Sequence, residues 1–223
     1  MKLLAFDTST EVCSVALWSD GAVIERIERS RRHAERLLVL IEEVLAEAQL
    51  RLEALDAIAF GRGPGSFTGL RIGAGVAQGL AFGADLPVVP VSSLAALALT
   101  ADAPRVLAAL DARMQQVYWA AYERSASGEM RLHGAEIVIA PAEVPLPEGA
   151  GWIGAGSGWD QYAPVLEARL GERLAGWRAG LFPSARAVGV LGAVAFAAGG
   201  AVSPEAALPV YIRDDVAVKR GSA

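Results

Sequence analysis

Two apolar segments of this chain end in an acid, Leu3-Leu-Ala-Phe-Asp7 and Val106-Leu-Ala-Ala-Leu-Asp111, and the two aspartates stand 104 residues apart. Each is followed by a second strand-like run, residues 12–18 and 117–122. An internal repeat of this length constrains the fold more than any local propensity does, because each copy brings the same order of elements and packs against its twin. The order is clearest in the first copy. Residues 2–7, 12–18 and 22–29 read as strands, joined at Thr8-Ser9-Thr10 and at Ser19-Asp20-Gly21. From Arg32 the period changes: Leu37, Ile41, Val44, Leu45 and Ala48 share one helical face, with Leu38 and Leu40 off that stripe. A strand at 57–60, a glycine-rich loop, an apolar helix over 66–83, a strand at 87–91 and a helix opening at Ser92-Ser93 complete a βββαβα half.

The second copy is weaker, and Trp152-Ile-Gly-Ala-Gly-Ser-Gly-Trp159 repeats its strand, glycine turn and helix. Duplicated βββαβα halves with an acid at the tip of each first strand are what an α/β, actin-like fold shows. Chance similarity between two ordinary strands is the competing reading. With 223 residues, 53% of them apolar, the chain has room for two lobes of roughly 100 residues each. The expected division is 1–103 and 104–223, the second lobe reduced.

A net charge of −5 gives little attraction for phosphate backbones, so this chain alone is a poor candidate for gripping nucleic acid. Asp7 and Glu11 interrupt any signal-peptide core, and no run reaches the length of a membrane span, so a cytoplasmic protein is expected. The single cysteine, Cys13, lies in an alternating apolar segment and reads as a buried structural thiol. Two histidines, His33 and His133, offer neither metal-ligand spacing nor a catalytic triad.

The stretch Gly61-Arg-Gly-Pro-Gly-Ser-Phe-Thr-Gly-Leu-Arg-Ile-Gly73 looks like a phosphate cradle, but the lysine of Gly-x-x-x-x-Gly-Lys-Ser/Thr is missing and Pro64 removes a donor. Ser66 is a natural N-cap for the helix that follows. In that helix only Arg71 and Gln78 are strongly polar, and Gly69/Gly73 and Gly75/Gly79/Gly83 form rows four residues apart. Each glycine costs about 1 kcal/mol against alanine, so close packing must offset it. The packing is either against this subunit's own sheet and helices or against a partner chain.

Taken together, Phe6-Asp-Thr-Ser-Thr-Glu-Val-Cys-Ser-Val-Ala-Leu17, His33 opening a His-x-x-x-Leu-Leu-x-x-Ile helix, the glycine-rich stretch, Ala77-x-Gly-Leu-Ala81 and Pro90-Val-Ser-Ser-Leu94 resemble the TsaB (YeaZ) family. Pro209-Val-Tyr-Ile-Arg213 and Val218-Lys-Arg220 fit it too. The resemblance implies an actin-like (ASKHA, ribonuclease H-like) fold and a non-catalytic role in making threonylcarbamoyladenosine on tRNA. It implies pairing with the catalytic paralogue TsaD, joined by the ATPase TsaE. Where TsaD carries a His-x-x-x-His metal pair this chain has Ser93 and Leu97, and where TsaD has a Ser-Gly-Gly phosphate turn it reads Asp111-Ala-Arg-Met-Gln-Gln116. No catalytic, cofactor-binding or metal residues are therefore expected, and no cofactor.

The expected partner interface comprises His33, Leu37, Leu38, Leu40, Gly69, Leu70, Arg71, Gly73, Ala74 and Gln78, a four-helix contact that a homodimer would use when the partner is absent. An ATP-dependent actin-like kinase or ATPase is the alternative, motivated by Asp7. A glycoprotease-like peptidase is the third reading, for which the sequence supplies neither metal nor activated nucleophile.

Overall fold

A computed structural model describes residues 1–19, 21–29, 32–125 and 129–213. Asp20 of the second turn and the Val218-Lys-Arg220 motif lie outside the described residues. Strands β1 (Lys2–Asp7), β2 (Val12–Ser19) and β3 (Ala22–Arg29) form an antiparallel meander, followed by helix α1 (His33–Glu47). Strand β4 (Ala57–Gly63), helix α2 (Phe67–Ala84), strand β5 (Val88–Ser92) and helix α3 (Ser93–Thr100) follow. The sheet runs β3-β2-β1-β4-β5, with β1, β4 and β5 parallel.

The second half repeats this plan. Strands β6 (Arg105–Asp111), β7 (Val117–Arg124) and β8 (Met130–Ile139) form the meander, then come β9 (Trp152–Ala155), helix α4 (Ser157–Leu170), β10 (Leu174–Arg178) and helix α5 (Ala185–Ala197). The sheet order β10-β9-β6-β7-β8 is that of the first sheet, strand for strand. Among the described residues, the reduction is between β8 and β9, where a short turn, Pro141–Glu143, stands in place of α1. The actin-like duplication expected from the sequence is the architecture.

Helices α1 and α2 cover one face of the first sheet, packing Leu37, Ile41, Val44, Ala74, Ala77 and Ala81 onto Phe6, Val15, Ile58 and Phe60. Its other face, Leu3, Ala5, Ala59 and Val91, is covered by α5 from the second half. Helix α3 in turn places Leu94, Leu97 and Ala98 on Val106, Ala108 and Leu110 of the second sheet. Each half thus lends its last helix to the layer between the sheets, while α4 closes the outer face through Trp159, Leu166 and Leu170.

Side chains alternate along a strand, so Asp7, in step with Leu3 and Ala5, faces the middle layer. Asp111 is in step with Leu107 and Ala109, which face α4. The two acids repeat in sequence but point to opposite sides of their sheets.

Candidate docking surface

The glycine-rich loop is folded onto the β1–β2 turn of its own chain. Ser66 N–H donates to the Ser9 carbonyl at 2.7 Å, and Thr8 Oγ1 donates to the Gly69 carbonyl at 2.8 Å. The glycines allow that approach: a Cβ on residue 65 would stand 2.4 Å from Ser9 O, one on residue 69 1.9 Å from Thr8 O, and one on residue 73 2.6 Å from Thr8 Oγ1. Ser66 caps α2 by accepting from Gly69 N–H at 3.3 Å. The Ser66 and Gly69 N–H groups, at the start of a helix that could cradle a phosphate, already have partners within the chain.

Asp7 is equally enclosed. Its Oδ1 accepts from Ser9 N–H at 2.8 Å and Ser9 Oγ at 2.6 Å, and Oδ2 accepts from Ser93 Oγ at 2.9 Å. A side chain at Gly61 would collide with Oδ2 at 1.9 Å. Burial pushes the Asp7 carboxyl above its ordinary value, against the hydrogen bonds from Ser9 and Ser93. Burial also pushes the Cys13 thiol up to about 12, an unreactive setting. Ser93 thus serves Asp7, and Leu97 is fully buried in the core. Among the described residues, no three His, Cys, Asp or Glu side chains converge to hold a metal ion.

After Asp111 the chain makes a left-handed turn through Arg113, Met114 and Gln115, with φ of 60°, 52° and 59°. Arg113 pairs with Asp111 at 3.3 Å, and its N–H donates to Asp111 Oδ1 at 3.0 Å. Burial, and then the charge of the same carboxylate, push the hydroxyl of Tyr162 on α4 above its ordinary value.

The sequence-predicted interface divides once the phase of each helix is known. His33, Leu37, Leu40, Gly69, Leu70, Gly73 and Ala74 are all buried within the chain. Leu40 sits three residues from Leu37 and joins the core stripe rather than standing off it, and Leu70 packs against Gly63. His33 Nε2 lies 2.8 Å from the Thr10 carbonyl, tying the head of α1 to the β1–β2 turn. Gln78 is half-buried and donates to the Ala207 carbonyl at 3.3 Å. Of the ten, Leu38 and Arg71 are outward.

What faces outward on α2 is the other glycine row. Gly75, Gly79 and Gly83 have open space where a Cβ would be, in line with Thr68, Arg71 and the 61% exposed Phe82. Arg36, Glu43 and Glu47 bind α1 to β3, so the flank carrying Leu38 and Leu45 turns toward α2. On the opposite flank of α2 runs a strap, residues 204–213, which no local pattern in the chain places there. Tyr211 stacks 5.5 Å from Phe67 and its hydroxyl accepts from Arg71 Nε at 3.1 Å, while the Arg71 guanidinium lies 3.8 Å over the Phe67 ring. The exposed face is therefore α1, the small-residue stripe of α2, and the strap, side by side.

The chain is 43% identical to the tRNA threonylcarbamoyladenosine biosynthesis protein TsaB of Escherichia coli K12, over 99% of this chain and 98% of that protein. It is 41% identical to the protein of the same name from Haemophilus influenzae, over 99% and 97%. The chain belongs to the TsaB family. Residues 25–151 match the family model described as TsaD, tRNA N6-adenosine threonylcarbamoyltransferase. Among solved structures, YeaZ from Pseudomonas aeruginosa superposes with a TM-score of 0.88 at 49% identity, covering 94% of this chain and 99% of that one.

Proposed function

We propose that this chain is a non-catalytic subunit that binds and activates a TsaD-type transferase, together with a TsaE-type ATPase, in making threonylcarbamoyladenosine on tRNA. The observation that carries this reading is the contrast around α2. Its inner side seals the Asp7 turn with the chain's own backbone, and its outer side offers a helix face of small residues next to Leu38, Phe67 and Phe82. Small residues let a partner helix approach closely, and flanking aromatic side chains supply the buried area. A TsaD-type subunit, resembling this chain in fold, would present an equivalent helix pair, and a second copy of this chain would compete for the same face. The enclosed Asp7 argues against the kinase or ATPase reading.

The test is calorimetry with a purified TsaD-type subunit. Gly79→Arg and Leu38→Glu, at positions with space around them, are expected to abolish binding without moving the melting temperature. Wild-type affinity in both would place the docking site elsewhere. Micromolar ATP binding by the isolated chain would revive the ATPase reading, and a tRNA gel shift at low micromolar chain in about 0.15 M salt would overturn its proposed lack of tRNA affinity. No described helix is long and apolar enough to cross a membrane, in keeping with the proposed cytoplasmic setting.

A further inference from the structure

Glu136 is a carboxylate without a surface role. Its side chain is 10% exposed, and it lies in a bulge where residues 134–136 of β8 stand opposite Ala120 of β7 alone. Its Oε1 accepts from Tyr122 Oη at 2.8 Å and from Ser92 Oγ, and its Oε2 meets Arg62 Nη2 at 3.4 Å. Burial and the Glu136 charge push the Tyr122 hydroxyl up, so it remains a donor. Tyr122 and Glu136 belong to the second sheet, and Arg62 and Ser92 to the first, where Ser92 also caps α3 by accepting from Ala95 N–H.

Arg62 faces two ways. Its guanidinium goes to Glu136, and its carbonyl accepts from Val210 N–H of the strap at 2.8 Å. The next residue, Tyr211, makes the contacts to Phe67 and Arg71 described above. Further along, Arg213 donates to Gln116 Oε1 of the β6–β7 turn. The strap is thus fastened to the first sheet at Arg62 and to the second half at Gln116, with the exposed aromatic cluster between those points.

We propose that Glu136 is a positioning residue for the docking face: by holding Arg62 across the two sheets it fixes the seat of the strap, and so the arrangement in which Phe67, Arg71 and Tyr211 meet a partner. This rests on the docking reading above. The coupling runs through one continuous chain of contacts, from Glu136 to Arg62 to Val210 to Tyr211, and a positioning role along such a chain is demonstrated by energetic coupling and not by adjacency.

The test uses the full chain. Glu136→Gln keeps the shape and the Tyr122 and Ser92 hydrogen bonds while removing the charge that holds Arg62. Hydrogen exchange at the Val210 amide is expected to quicken roughly tenfold in this variant, with Ser9 N–H unchanged. Affinity for a TsaD-type subunit is expected to fall roughly fivefold, and Tyr211→Ala is expected to erase that difference, so that the double variant binds like Tyr211→Ala alone. Unchanged exchange at Val210, or effects on affinity that simply add, would overturn the proposal. Gly79→Arg and Leu38→Glu are the controls: if both leave binding intact the docking reading fails, and the exchange measurement still decides whether Glu136 seats the strap. Should Glu136→Gln melt early, Arg62→Met takes its place, with the same exchange and affinity outcomes expected because the side chain then carries no cation for Glu136 to hold.

Discussion

The two glycine rows of α2 share a residue type, a spacing and a helix, and they exist for opposite reasons. Gly69 and Gly73 lie where Thr8 leaves no room for a side chain, so the cost of a helical glycine is offset inside the molecule by the close fit of helix and turn. A Cβ at Gly75, Gly79 or Gly83 would meet nothing. Their cost in helix propensity has no return within this chain, and that deficit is the physical argument for a surface completed from outside. An inward row reports on how a protein closes on itself, and an outward one on what it is built to meet.

Substitutions can break or sharpen this contrast. The largest effect is expected for Ala74→Arg and Leu40→Glu, which drive a charge into the α1–α2 core, where these side chains are each 4% exposed. Each should cost about 4 kcal/mol of folding stability in a denaturant melt. A fold left intact by both would mean that the inner face is not the core. Gly69→Ala comes next, at about 3 kcal/mol, because the atom it meets is backbone and cannot turn aside.

Asp7→Asn tests the same inner seal through pH. The folded carboxyl titrates above its unfolded value, so its stabilising contribution is fully present below the unfolded pKa, about 3.8, and is lost as pH rises through the folded value. Asparagine does not ionise, so the melting temperature of Asp7→Asn relative to wild type is expected to climb between pH 4 and pH 7. A flat difference across that range would show that Asp7 is less enclosed than its contacts indicate. The smallest effect belongs to the outer row: Gly75→Ala should stabilise the isolated chain by about 0.5–1 kcal/mol while leaving its fold unchanged. A loss of stability there would show that the outer glycines are needed internally too.

The sequence carried the first half to within a few residues at nearly every element, because its strands alternate and its helices are amphipathic or capped by serine. It carried less of the second half. Strand β8 is largely exposed and mixes Arg131, His133 and Glu136 with apolar residues, so no clean period marks it. Helix α5 is apolar, but nothing local says that it crosses to the other sheet. The candidate surface was half legible. The helices α1 and α2 announced surplus apolar area, yet rows such as Gly69/Gly73 and Gly75/Gly79 are indistinguishable until the sheet sets the helix phase. The strap could not be read at all, since Pro209-Val-Tyr-Ile-Arg213 finds its partners 97 to 148 residues away in contacts such as Arg213 with Gln116 and Val210 with Arg62.

The exchange of α3 and α5 between the sheets has a consequence for how the molecule comes apart. A fragment ending near residue 103 would keep α3 but leave Leu3, Ala5, Ala59 and Val91 bare, and the complementary fragment would keep α5 but expose Val106, Ala108 and Leu110. Neither piece has a finished interior. The duplication is therefore one of pattern only: the halves are expected to unfold as a single cooperative unit, in one transition, and fragments cut at that boundary to recover native structure only by recombining with each other.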